Sequence, residues 1–386
     1  MSFGSNLRMF ANKASLCCNV NKVTLELFSR CSTVAFLQYD KDPGPSFSNP
    51  DVQKLLKSMT RVQLEKVYKK RSVSDNTVEY KFMTSEQLEK QFRKAAERAE
   101  KLIQMPPIVK VKEDSQKVIS RDPALTNFSN TKFVIADITY GVNSSDRKIL
   151  VRQTDGTLEY APLSIRKRIN QIYFPHPGRK IRLPRMFEPE HLNRCLANFQ
   201  YEFILDRACV QFDPYEKEYH EITTKVYNHI NESKRFDDLR STRHFGPMAF
   251  YFAWHQIIDD LLYDMIKQDY LKNGAELVAL YYQLNGIDYD KSIHEKLETL
   301  VQPQSTIQSV LKPKASDDMH EEIKNAIGKS AEDFTADDIS FEFIETFVKT
   351  KALKKVQLEL ALQALRETND EKKKLYHGLK KAHGIS

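Results

Sequence analysis

The apolar positions of this chain change period several times, and those changes mark out its elements. After a turn-rich passage, Asp42-Pro43-Gly44-Pro45, amphipathic spacing predicts a short helix from Asp51 to about Val67. Thr84 stands three residues before Gln87, the spacing of a capping box. Leu88, Phe92, Ala95, Ala99 and Leu102 then hold helical spacing until Met105-Pro106-Pro107 stops the helix. Residues 108 to 130 have weak periodicity and read as extended. Lys132–Tyr140 and Arg147–Arg152 are β-rich, and Asp155-Gly156 is a two-residue turn signal before Thr157–Tyr160. Together they predict a small antiparallel meander.

Helical spacing returns at Leu163–Tyr173. The next stretch, to Arg185, carries too many prolines and glycines for a regular element. From about Pro189 to Tyr282 the chain reads mostly helical, interrupted at Asp213-Pro214. Helices are expected at Tyr219–Ile230, Met248–Tyr270 and Ala275–Leu284. Residues 287 to 338 are polar. A last helix runs from Ser340 to Glu367 on a stripe that includes Phe343, Phe347, Val356 and Leu360, before a lysine-rich tail at Lys372–Lys381. The expected fold class is α+β, predominantly helical, with a small antiparallel meander and an extended N-terminal arm. The expected divisions are 1–36 leader, 37–130 arm, 131–185 meander and basic loop, 186–286 helical core, 287–338 variable linker, and 339–386 C-terminal helix and tail.

Composition alters this picture in three places. Apolar residues at 41% and aromatics at 10% of 386 residues argue for a packed core. Residues 1–36 carry four basic residues against one acid, among serines and hydrophobics, which is the make-up of a mitochondrial transit peptide. Five cysteines without a Cys-x-x-Cys pair indicate a reducing compartment, and no apolar run is long enough to span a membrane.

The net charge of +7 is concentrated. Arg147–Arg185 holds ten basic residues against Asp155 and Glu159, leaving the rest of the chain close to neutral. Within it, Arg166, Lys167, Arg168, Arg179, Lys180, Arg182 and Arg185 meet no acid at all. Forked cations on an irregular loop beside Tyr173 and Phe174 suit phosphates and unpaired bases; a solvated basic face is the plainer alternative. A second candidate is Asp238–Phe252. Its Arg240, Arg243 and His244 can contact phosphate, and its aromatics, with Phe250, Tyr251 and Trp254 foremost, must be buried in this protein or against another. Phe347 on the last helix is a further candidate protein contact.

No catalytic constellation emerges. Gly328-Lys329-Ser330 ends like a phosphate-binding loop, but Ile323 occupies the place of its first glycine. His220-Glu221 and His294-Glu295 lack the second histidine of a zinc site. Asp259, Asp260 and Asp264 are spaced one residue too long for an aspartate-rich Mg²⁺ motif and have no partner motif. Cys195 and Cys209 read as packed thiols. No metal, cofactor or small-molecule substrate is expected.

Three motifs in order carry a resemblance. Lys132–Tyr140, Ile172–Ile181 and Leu239–Gly246 are similar to the mitochondrial small-subunit ribosomal protein family number twenty-two, as are Met105–Pro107 and Phe347–Lys351. The similarity covers about 51–285 and resumes at about 340–367. It implies a structural protein of the mitochondrial ribosome, in the matrix and in the body of the small subunit. Its implied contacts are small-subunit rRNA and neighbouring ribosomal proteins, without enzymatic activity. Two other readings stay open: a non-resident RNA-binding factor for assembly or mRNA handling, and a Mg²⁺-dependent enzyme using the three aspartates.

Overall fold

The helical body grows around its most apolar helix. The computed structural model describes residues 39–68, 80–114, 117–144, 146–289, 329 and 331–382. Four helices come first: α1 (Gly44–Phe47), α2 (Pro50–Thr60), α3 (Leu64–Val67) and α4 (Ser85–Leu102). Strands β1 (Val118–Arg121), β2 (Phe133–Ala136), β3 (Ile149–Arg152) and β4 (Thr157–Tyr160) follow. Then come α5 (Leu163–Tyr173), α6 (Pro189–Ala197), α7 (Tyr201–Gln211), α8 (Lys217–Ser233), α9 (Phe245–Trp254), α10 (Asp259–Lys267) and α11 (Leu271–Leu284). The last two are α12 (Ala331–Thr350) and α13 (Lys355–Ala382). The architecture is α+β and mostly helical, as the periodicity predicts.

Helix α9 is apolar on every side, so it can only be a core helix. Residues 245 to 253 are all buried, and α9 packs against α2 and α11. Burying side chains such as Phe250 and Phe252 contributes about 1.5–3 kcal/mol each. Pro247 sits in the first turn, where backbone N–H groups have no partner inside the helix, so it costs no hydrogen bond. Gly246 is needed for contact: a Cβ there would lie 2.1 Å from Met105 Sδ. Two of the recognised sequence motifs, Met105-Pro106-Pro107 and Phe245-Gly246, thus lie against each other. Residues 39–60, grouped by the sequence with an arm, pack into this body, with Tyr39, Leu56 and Met59 buried.

Two predicted helices are each broken in two. Met248–Tyr270 was expected to be continuous, but α9 ends at Trp254 and α10 starts at Asp259, with Gln256 at φ 60° between them. No glycine or proline signals that break. The C-terminal helix is interrupted between Thr350 and Lys355, where the Asp259 carboxylate accepts the backbone N–H groups of Leu353 and Lys354 at 2.8 and 2.7 Å. Helix α12 also begins inside the expected linker, and the expected tail at 372–381 is the last part of α13. The expected leader at 1–36, His294-Glu295 and most of 287–338 lie outside the described residues.

The sheet has the order β1-β4-β3-β2 and is antiparallel throughout. Its fourth strand, β1, comes from the segment read only as extended. Gly156 takes φ 82° in the β3–β4 turn, and a Cβ there would lie 2.1 Å from the Asp122 carbonyl oxygen. Helix α5 covers one face, with Ile165 and Ile169 on Ile149, Val151 and Ala161. Beside it, buried Arg147 donates to the carbonyls of Asp137, Thr139 and Val142, and its guanidinium stacks 3.6 Å from the Phe174 ring centre. This residue, counted in the basic segment, organises a loop instead of facing solvent.

Candidate nucleic-acid interface

The irregular basic segment after α5 has a defined conformation because two buried glutamines hold its backbone. Gln171 donates Nε2–H to the Arg179 carbonyl at 3.1 Å and accepts the His176 N–H at 3.3 Å. Gln211 accepts the Lys180 N–H at 3.0 Å and donates to the Lys180 carbonyl at 2.8 Å, completing a strand-like pair with one side chain. Arg207 donates to the Gly178 carbonyl at 3.3 Å. Gly178, at φ 80°, lies so close to α7 that a Cβ would sit 3.1 Å from Val210 Cγ1.

Arg179 belongs to this scaffold. Its guanidinium grips both Asp213 oxygens, at 2.8 and 3.2 Å, and donates Nε–H to the Val210 carbonyl. Burial pushes the Asp213 carboxyl up, but the Arg179 fork outweighs it and holds the group below its ordinary value. Lys167 is also engaged, 2.6 Å from buried Glu216. Arg166 donates to the Arg147 carbonyl. The cations that remain are Arg168 on α5 and Lys180, Arg182 and Arg185 on the loop, all exposed. Ile172, Tyr173, Ile181 and Leu183 are exposed beside them.

The second candidate stretch has the opposite fate. Arg240 is 0% exposed, so it has no surface to offer a phosphate. Its guanidinium lies 3.2 Å from Asp237 and 3.6 Å from Asp264, and the ring centres of Phe245 and Tyr270 stand 4.9 and 5.0 Å away. Burial pulls this guanidinium down from its ordinary value, and the two carboxylates oppose that. His244 is also buried, with Nε2 2.9 Å from Asp206 Oδ1. Burial lowers its pKa despite the carboxylate, so the ring is neutral at pH 7. Arg243 is half-buried and bound to the same Asp206 oxygen at 2.7 Å. These three residues fasten α9 to α7 and α10.

The aromatics expected at an interface are likewise internal. Phe250 and Tyr251 are buried, Trp254 is half-buried with its ring 5.5 Å from that of Tyr39, and Phe347 packs 5.3 Å from Tyr281. Phe250, Tyr251 and Trp254 thus meet the first of the two sequence options, burial within this chain, whereas Phe347, expected as a contact with another protein, is buried in this one. The three aspartates do not converge. Asp259 caps α13, Asp260 binds Lys234 and Lys354 at 2.5 and 2.7 Å, and Asp264 accepts from Gln268 and faces Arg240. Among the described residues no cluster of three His, Cys, Asp or Glu side chains could hold a metal ion, and no helix is long and apolar enough to cross a membrane.

Sequence reasoning passed over Gln171, Gln211 and Arg207. Their signal was available in kind, since polar residues on the inward faces of α5 and α7 need partners, but the partner was an irregular loop.

Inner arginines thus brace the helical body, while other cations stand exposed on a pinned loop. Residues 45–286 match the model of the mitochondrial 28S ribosomal protein S22 family. This match spans more than half of the chain, and the chain belongs to that family. It is 36% identical over 241 residues to the small ribosomal subunit protein mS22 of Bos taurus, covering 62% of this chain and 67% of the relative. With the Mus musculus protein of the same name the identity is 34% over the same coverage. The family match ends at 286, so the resemblance expected at about 340–367 lies beyond it.

Proposed function

We propose that this chain is a structural component of the mitochondrial small ribosomal subunit in the matrix. It holds small-subunit rRNA phosphates with Arg168, Lys180, Arg182 and Arg185, supports mitochondrial translation and performs no chemistry of its own. The observation that carries this reading is the pinned loop. Its cations project from a backbone already fixed by Gln171, Gln211 and Arg179, so little loop ordering is needed on binding. Tyr173 beside it offers a ring for an unpaired base. Family membership supplies the particle. Neighbouring ribosomal proteins are contacted through apolar residues left open on α4 and α13, such as Leu88, Leu102, Val356 and Leu360.

Sucrose-gradient sedimentation of mitochondrial lysate tests the reading. The protein should travel with small-subunit rRNA at near-equal stoichiometry and stay bound in moderate salt. Replacing Arg168, Lys180, Arg182 and Arg185 together by serine should release it at lower salt. A wild-type protein at the top of the gradient would overturn residence in the particle and favour a non-resident RNA-binding factor. An unchanged salt response in the variant would overturn the role of the loop.

A further inference from the structure

The two edges of the sheet are built differently. At β1, Lys117 and Arg121 bring charge, and the pairing with β4 slips between Val118 and Ser120. Charge and bulges are the usual means by which an edge is kept from pairing with another strand. At the opposite edge, β2 reads Phe133-Val134-Ile135-Ala136 in regular register, without charge, proline or bulge. The backbone pattern shows which of its groups are open. Asp137 donates its N–H to the Lys148 carbonyl at 3.0 Å, toward β3. By the alternation of antiparallel pairing, Ile135 and Phe133 also bond to β3, and the N–H and C=O of Val134 and Ala136 point away from the sheet. Among the described residues nothing pairs with them.

The side chains on both sides of this edge are open as well. Val134, on the face covered by α5 further in, is 42% exposed; Phe133 and Ile135, on the other face, are 46% and 50% exposed. A base could stack on one of these faces. It could not satisfy alternating backbone donors and acceptors while covering apolar side chains above and below, whereas an extended polypeptide does both. The surroundings are basic. Lys132 and Lys148 are exposed, and Nη1 of Arg152, which pairs across from Phe133, is buried without a hydrogen-bond partner. The adjoining acid, Asp137, already accepts from Thr139.

We propose that the β2 edge is completed in the small subunit by a fifth strand, an extended apolar segment of a neighbouring protein with carboxylates at its flanks. This rests on the ribosomal reading above. Val134 is the position to test. Val134→Pro deletes an outward N–H and places a ring on the edge, while the ladder to β3 keeps its donors. Val134→Lys charges the edge without altering the backbone.

Full-length protein carrying a benzophenone amino acid at position 132 or, separately, 138 is expressed in mitochondria, and small subunits are purified and irradiated. Both positions should cross-link to one apolar segment of one protein, at points about six residues apart, as expected for a paired strand. Both cross-links should disappear with either Val134 substitution. Cross-links to rRNA, to a second copy of this chain or to scattered sites, or cross-links that survive both substitutions, would overturn the added strand alone. Absence of the unsubstituted protein from the small-subunit fraction would instead overturn the ribosomal reading, and this inference with it.

Discussion

Two arginine-bearing stretches that look alike in the sequence end on opposite sides of the surface. In 179–185 the chain follows Pro177-Gly178, is interrupted again at Pro184 and leaves its apolar Ile181 and Leu183 exposed, so only Arg179 is drawn inward, where Asp213 meets it. In 240–244 the basic residues lead directly into the most apolar helix of the protein, and the helix carries them into the interior. A cation's role here follows from what is attached to it. Where the neighbours must be buried, the charge is buried with them and needs carboxylates and ring faces; where they need not be, it stays in water and is open to a polyanion.

The sharpest way to break this comparison is at Arg240. Arg240→Ala should destabilise the protein by about 3–5 kcal/mol, because it leaves Asp264 without the charge it faces and opens a cavity, while Asp237 keeps Lys66 at 2.8 Å. Arg240→Met, which fills the space, should cost much less. Chemical denaturation measures both. An alanine variant of normal stability with weakened rRNA association would place Arg240 with the outer set.

Arg179 sits between the two classes. Arg179→Ala should cost about 1.5–3 kcal/mol, the range for hydrogen bonds to charged groups, and should speed proteolytic cleavage between 174 and 185. A loop that resists protease equally well in the variant would show that the glutamines suffice.

The buried histidines sharpen the comparison through pH. Burial lowers the pKa of both His220 and His244 in the folded protein. Below the ordinary imidazole value of about 6.5 the unfolded chain therefore binds protons that the folded chain does not. Stability should be complete above that value and fall as the pH drops from it toward the lowered native values. Thermal unfolding from pH 7.5 to 5 should show this slope, and His244→Gln should flatten it. An unchanged slope would mean that His244 is not held neutral.

The smallest effect on stability belongs to the outward cations. Serine at Arg168, Lys180, Arg182 and Arg185 should alter stability by no more than about 0.5 kcal/mol per site. The same change should reduce the slope of rRNA affinity against salt by about 3, the value for four lost phosphate contacts on single strands. A large fall in melting temperature would assign these residues to the scaffold.

Local signals in the sequence were legible wherever the partner was also local. The capping box at Thr84 forms with both of its hydrogen bonds, and the strands at 149–152 and 157–160 pair across the turn at Asp155-Gly156. The charge concentration was legible too, because counting needs no partner. The division of that charge was not. Arg147 and Arg179 resemble Arg182 in composition and differ only in what the fold brings to them: carbonyls of a loop for one, Asp213 for the other.

The chain's own periodicity thus determined most of the helices and strands and where proline and glycine must interrupt them, and it required the aromatics of α9 to be buried, in this protein or against another. Those features depend on side-chain size, backbone freedom and spacing within a few residues. Tertiary structure alone decided where α12 gives way to α13, because Asp259 supplies the cap from far away in sequence. It likewise decided which arginines brace the core and which face outward. A buried charge needs a partner, and sequence spacing does not record which distant residue will be there.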